Sequence, residues 1–322
     1  MTDGQHPRVS VLVVGFGSPV WLTRCLEALV DAVDDSTEII LVDNGSEPPL
    51  TPVLERFSHR VTALRSEVNL GFGRACNAAR AWANGDRILL LNPDAILREG
   101  ALEALVAHLD ADPTRGIVTG RLERPDGSLD PYSCLGAPTV WGEFCFATGL
   151  STLMARSSVT NPEALGGWRR DSERDVGVVT GCVLLTSSEL WDELGGFDPR
   201  YFMYGEDVDL SARASALGRR LSFVPTVVAT HAGGASSTSG AKVVMVLRGK
   251  ATLARRSPSA VRRAWSTSAL RAGVLLRGAL EQRRPAHERV WRAAWRARAD
   301  WTDGWGGAPA QAAAPLIPVA QR

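Results

Sequence analysis

An α/β fold, with a mostly parallel sheet flanked by helices on both faces, is predicted by two observations. Short apolar, β-branched runs recur from residue 9 to residue 230, and segments with helical spacing of apolar residues stand between them. The runs are nearly continuous in apolar character rather than alternating, which strands covered on both faces require. With 322 residues and 45% hydrophobic content, the chain can bury a sizeable core as one large domain or two ordinary ones.

The elements follow in order. Val9 to Val14 is the first strand and closes at Gly15, and Val20 to Val33 is a helix with Trp21, Leu22, Leu26 and Leu29 on one stripe. Glu38 to Val42 is a second buried strand ending at Asp43, and Val61 to Leu64 a shorter third. Asn69 to Ala83 reads as a glycine-rich entry into a helix, followed by a strand over Arg87 to Leu91. A helix over Glu99 to Asp110 and a strand over Gly116 to Leu122 continue the pattern. Residues 123 to 175 lose periodicity and are read as loops and short helices. Val176 to Thr186 returns as one strand around Gly181, then a helix over Ser187 to Leu194 and a strand over Val224 to Thr230. In such sheets ligands settle beyond the carboxyl ends of the strands, here Gly15, Asp43, Ser66 and Asn92.

Charge divides the chain. Residues 1–241 hold 20 Lys and Arg against 31 Asp and Glu, a net of −11, and residues 242–322 hold 16 against 4, a net of +12. Half of the ten tryptophans lie in the basic part, so two domains are expected, meeting different partners. Lys242 to Arg256, Ala260 to Leu280 and His287 to Trp301 read as basic amphipathic helices, and Gly304 to Arg322, rich in Ala, Pro and Gly, as a disordered end. The five cysteines are widely spaced with no C-x-x-C pair, which predicts reduced thiols. No secretory signal opens the chain and no apolar run approaches the roughly 20 residues that span a bilayer.

Five polar motifs stand out, three of them at or just beyond these strand ends. Asp43-Asn44-Gly45-Ser46 offers a carboxylate for a nucleobase or ribose, or is an ordinary Asn-Gly turn. Asn69-Leu70-Gly71-Phe72-Gly73 with Arg74 presents amides and a cation to an anionic group, or simply caps a helix. Asn92-Pro93-Asp94 puts a carboxylate at the tip of a buried strand, where it can hold a metal or cap the next turn. Tyr204-Gly205-Glu206-Asp207-Val208-Asp209 gathers acids beside aromatics, which can drive their proton affinities apart and leave one as a general base; the plainer reading is a solvated acidic helix start. His231, ahead of Gly234 and Ser236, is a candidate diphosphate or metal contact, or a structural imidazole.

Together these segments resemble the family-2 glycosyltransferases, particularly their rhamnosyltransferase-like branch, over about residues 9 to 240. The resemblance implies a GT-A fold and an inverting transfer from a nucleotide-diphosphate sugar, with dTDP-L-rhamnose as the expected donor. The acceptor it implies is lipid-linked (polyprenyl-diphosphate) or a glycan, in cell-envelope polysaccharide synthesis. It makes Asp207 the base with Glu206 beside it, and Asp94 with His231 the ligands of Mg²⁺ or Mn²⁺. Asp43, Asn44, Asn69, Gly71, Arg74 and Asn92 become donor contacts. Asn92 stands where the family's D-x-D motif has its first acid, a departure that leaves one carboxylate for the metal.

For the basic extension, residues 242 to 301 are expected to dock on an anionic membrane at its cytoplasmic face rather than on nucleic acid. The alternatives are a helical appendage packed on the catalytic domain or one used for self-association. Two other functions compete: a sugar nucleotidyltransferase, whose triphosphate loop would carry a base that Gly15-Phe16-Gly17-Ser18-Pro19 lacks, and a non-catalytic membrane or nucleic-acid adaptor.

Overall fold

The computed structural model describes residues 8–233, 239–283, 285, 288–306 and 315–319. In chain order the elements are β1 (Val9–Gly15), α1 (Pro19–Ala32), β2 (Thr37–Asn44), α2 (Thr51–Arg56), β3 (Val61–Ser66), α3 (Phe72–Arg80), β4 (Arg87–Leu91), β5 (Ala95–Leu97), α4 (Ala101–Asp110) and β6 (Arg115–Glu123). There follow β7 (Leu129–Asp130), β8 (Cys134–Leu135), α5 (Val140–Thr148), α6 (Leu150–Leu153), β9 (Arg174–Asp175), β10 (Val178–Val179), β11 (Val183–Ser187), α7 (Ser188–Leu194), α8 (Glu206–Ala216) and β12 (Arg220–His231). The chain closes with α9 (Ser239–Arg256), α10 (Ala260–Leu280), α11 (Val290–Arg296), α12 (Arg298–Trp301) and β13 (Ile317–Pro318).

The main sheet runs β13-β3-β2-β1-β4-β11-β6-β12-β5. β3, β2, β1 and β4 are parallel neighbours, and β6 pairs parallel with β12. β11 lies antiparallel between β4 and β6, which therefore point the same way. The carboxyl ends of six strands and the start of β11 thus share one edge.

Period-two geometry explains the continuous apolar runs. Val9, Val11 and Val13 of β1 join one core with Ile39, Leu41, Leu89 and Leu91, while Leu12 and Val14 join the opposite core with Ile40, Val42, Ile88 and Leu90. Each strand buries both faces. The expected strand over Val176 to Thr186 is split instead, because Thr180 to Cys182 leave the ladder between β10 and β11. That interruption lies at the ligand edge.

The basic part packs against the rest of the chain. The boundary expected after Ala241 falls inside α9, and α9 to α12 form a small core from Leu247, Ala251, Leu270, Val274, Ala294 and Trp301. α10 crosses α5 closely, since a Cβ on Gly273 would stand 2.3 Å from the Phe146 ring. Opposite charges join the two parts: Arg262 pairs with Glu143, Lys250 with Glu163 at 2.5 Å, and Arg256 with Asp198 at 3.0 Å and with Asp209. The asymmetry read as two surfaces for different partners is, at these positions, complementarity between the two parts.

Gly304 to Arg322 was expected to be disordered throughout. Within it, Ile317 and Pro318 add an antiparallel edge strand to β3, and the Val319 N–H donates to the Ala63 carbonyl at 2.9 Å. The apolar Leu316 is buried beside the β3 core, and proline is tolerated because the strand is at an edge. All five cysteines are buried and unbridged. Among the described residues, no helix is long and apolar enough to cross a membrane.

Candidate active site

The tip of β2 is organised by its own side chains. Asp43 is fully buried; one oxygen accepts the Ser46 N–H at 2.9 Å, and the other accepts from the Leu50 N–H at 3.1 Å and Arg65 at 2.7 Å. The carboxylate expected to meet a nucleoside is thus engaged in shaping the loop that follows it. Asn44 accepts from the Leu70 N–H at 2.9 Å and donates to the Asn69 side chain and the Gly71 carbonyl, joining the β2 tip to the entry of α3. Gly45 and Gly71 both have positive φ, and a Cβ on Gly71 would lie 2.1 Å from the Phe202 carbonyl oxygen. Only glycine lets these two loops meet. Arg74 donates to the Pro199 carbonyl at 2.6 Å, so the cation expected at the diphosphate also ties α3 to the loop before α8.

Asp94 and His231 are brought together. Asp94 follows β4 and His231 ends β12, and an Asp94 oxygen lies 3.4 Å from His231 Nε2. His231 Nδ1 faces Asp130 at 3.0 Å, a residue no sequence signal distinguished because it lies in the unperiodic stretch. Burial opposes charge on His231, but hydrogen bonds to Asp130, Asp94 and Cys182 push it up to about 12. Burial likewise opposes charge on Asp130, whose carboxyl is nevertheless lowered by His231 and the Tyr132 N–H.

This donor set suits a hard divalent cation that displaces the proton His231 otherwise holds between Asp94 and Asp130 and takes its remaining ligands from substrate. One carboxylate and one imidazole converge, and a carboxylate holds the far imidazole nitrogen, the support that metal-binding histidines ordinarily have. Among the described residues, no group of three or more His, Cys, Asp or Glu forms a complete cage. An ion here depends on diphosphate oxygens and water, as Mg²⁺ usually does. Gly234 and Ser236 lie outside the described residues.

Glu206 and Asp207 open α8 behind Gly205, whose φ is 102°. Glu206 is buried and its Oε2 has no hydrogen-bond partner among the described residues. Burial and then the Asp207 charge push its carboxyl up to about 8. Asp207 is half-buried; burial raises it too, against hydrogen bonds from backbone N–H groups that include Gly181. Asp209, which the plainer reading of the motif makes a solvated helix-start acid, is instead buried between Arg213 and Arg256.

The break between β10 and β11 connects the two acidic sites. The Gly181 backbone lies near enough to Asp207 to lower its carboxyl, and the next residue, Cys182, accepts the Asn92 N–H at 2.9 Å and lies near His231. Asp207, Asn92 and His231 therefore adjoin two consecutive residues. Gly181 inside an apolar run was the available signal, since an interior glycine marks a bulge or close approach; here the Phe72 ring would meet its Cβ at 2.6 Å.

Residues 10–166 match the model of Glycosyl transferase family 2. An N-acetylglucosaminyl-diphospho-decaprenol L-rhamnosyltransferase of Mycobacterium tuberculosis is 29% identical over 237 residues, covering 69% of this chain and 75% of that one. The rhamnosyltransferase WbbL of Escherichia coli is 28% identical over 232 residues, covering 69% and 83%. Among solved structures, a mannosyltransferase of Pyrobaculum calidifontis in complex with GDP-Man and Mn²⁺ superposes with a TM-score of 0.55 at 18% identity, over 94% of this chain and 84% of that chain. GalNAc-T7 with UDP, GalNAc and Mn²⁺ gives a TM-score of 0.52 at 16% identity, over 83% and 55%. The structural likenesses carry the GT-A type of fold, and the family match together with the two rhamnosyltransferase relatives supports a family-2 glycosyltransferase.

Proposed function

We propose that this enzyme transfers L-rhamnose with inversion from dTDP-L-rhamnose to a polyprenyl-diphosphate-linked acceptor in cell-envelope polysaccharide synthesis. The observation that supports the reading is the junction at Gly181–Cys182, two consecutive residues of which the first neighbours Asp207 and the second neighbours His231. Two rhamnosyltransferase relatives support the sugar, and the name of one supports the lipid-linked acceptor.

In this mechanism Asp207 takes the proton of the acceptor hydroxyl as the oxygen attacks the anomeric carbon. Asp207 suits the role because it is half-buried, whereas Glu206 is buried and holds its proton near neutral pH. A protonated Glu206 leaves Asp207 as the ionised member of the pair and removes a competing charge. Asp94 and His231 would hold Mg²⁺ or Mn²⁺, which supplies charge stabilisation to the departing nucleotide diphosphate. Asp130 fixes the His231 ring. Asn44, Asn69, Gly71 and Arg74 shape the donor side, with Asp43 acting through the loop it organises. Asn92 fixes the backbone beside Asp94.

The enzyme works at the cytoplasmic face of the membrane as a peripheral protein. The outward side of α10 supports this: Val261, Ala264, Trp265, Ser268, Arg271, Ala272 and Leu275 are exposed, an apolar stripe with one cation. The reading is tested by incubating the enzyme with dTDP-, UDP- and GDP-sugars and Mg²⁺ or Mn²⁺, with and without a polyprenyl-diphosphate sugar acceptor. Acceptor-dependent release of dTDP from dTDP-L-rhamnose is expected, and transfer from another donor in its place overturns the sugar assignment.

A further inference from the structure

The loop that delivers Glu206 and Asp207 is held on two sides. On one side α3 grips it: Asn77 bonds to both the N–H and the carbonyl of Phe197, and the Phe72 N–H donates to the Phe202 carbonyl at 3.0 Å. On the other side it rests on α9. A Cβ on Gly249 would stand 2.0 Å from the Tyr204 carbonyl oxygen, and one on Gly205 would stand 3.1 Å from the Gly249 Cα. Tyr204, with φ of 65°, sits in the left-handed region that side chains rarely adopt, so the turn needs support from outside.

Arg256 supplies a second support. Its guanidinium reaches Asp198, where the loop begins, and Asp209, in the first turn of α8. The other Asp209 oxygen is held by Arg213 at 2.8 Å, and Arg213 also donates to the Leu194 and Gly196 carbonyls. The Trp305 ring lies on Phe202 at 5.4 Å, with the Arg248 guanidinium over its face at 4.8 Å. Both ends and the middle of the loop thus touch residues beyond position 241.

We propose that the C-terminal helices are part of the catalytic apparatus, with Arg256 clasping the two ends of the acid-bearing loop and Gly249 seating its turn, both as positioning residues for Asp207. The inference rests on the reading of Asp207 as the base. It gives the basic extension a task inside the molecule. A clasp of this kind holds the base within the small tolerance that proton transfer demands, and misplacement of about 1 Å costs on the order of 10²-fold in rate.

The test compares Arg256→Met, Arg256→Lys and Gly249→Ala in the full chain, with Asp207→Asn as reference and Arg56→Met, which breaks the exposed pair with Glu27, as control. Turnover and donor Kd are measured for the donor that performs best in the sugar-nucleotide screen. Arg256→Met and Gly249→Ala are expected to lower kcat by about 10- to 100-fold with donor Kd within about twofold, and to shift the acid limb of the pH–rate profile. Both contacts of Arg256 run through Nη1, so Arg256→Lys keeps the cation near the two carboxylates and is expected to recover part of the loss. Unchanged kcat and pH profile in both, or loss of donor binding and folding together with kcat in both, overturns the positioning role. Full turnover in Asp207→Asn instead overturns the assignment of the base, whatever Arg256→Met does.

Discussion

Replacing Glu206 with Gln should remove a pH dependence of stability whose size follows from its surroundings. Glu206 is buried, has an unpartnered Oε2 among the described residues and adjoins Asp207; burial first and the Asp207 charge second push it from 4.5 up to about 8. The folded protein therefore binds this proton more tightly than the unfolded chain does. Its contribution to stability is full below about pH 4.5 and is lost as pH rises through about 8. At about 1.4 kcal/mol for each pH unit, the interval from 4.5 to about 8 bounds the loss at about 5 kcal/mol. Sharing of charge with Asp207 and local relaxation bring the expected figure to on the order of 3 kcal/mol. Urea unfolding of both proteins between about pH 5 and about pH 9 measures it. Stability of the wild type should fall relative to Glu206→Gln as pH rises, the difference growing through neutrality. Parallel curves across that window would refute the assignment of a neutral, buried Glu206.

Two further outcomes follow. Asp130→Asn, which loses the charge behind His231, should weaken Mn²⁺ affinity by about 10- to 100-fold in calorimetric titration while leaving the fold intact; unchanged affinity would detach Asp130 from the metal site. Converting Val261, Trp265 and Leu275 to Ser should reduce sedimentation with vesicles containing anionic phospholipid by at least about tenfold while preserving turnover on a soluble acceptor. Undiminished vesicle binding would remove α10 from the membrane account.

The sheet was legible because its strands bury both faces and therefore read as unbroken apolar runs, with polar residues only at their tips. Helix α10 was placed with its observed limits, since serine, arginine and small residues leave a clear helical stripe. Within the candidate site, Asp94 and His231 stood out because chemistry coincided with a strand end, and Glu206 and Asp207 because adjacent acids stand beside aromatics at a helix start. Asp130, Cys182 and Arg256 did not, because each acts through a partner about 50 to 100 or more residues distant that no local pattern announces. Asp43 shows the opposite failure. A strand-end carboxylate has the same sequence signature whether it meets a ligand or the N–H groups of its own loop. The composition of the last residues concealed the Leu316–Val319 edge because a short apolar segment amid Ala, Gly and Pro gains order only from the sheet it joins.

The most direct test is donor affinity measured by calorimetry, with Mn²⁺ present and absent, alongside turnover for Asp207→Asn and Asp94→Asn. The account predicts a clean division of labour. Asp207→Asn should bind donor normally and lose about 10² to 10⁴ in turnover, while Asp94→Asn should lose the part of donor binding that depends on Mn²⁺. Equal effects of both substitutions on binding and turnover, or normal turnover in Asp207→Asn, would contradict it.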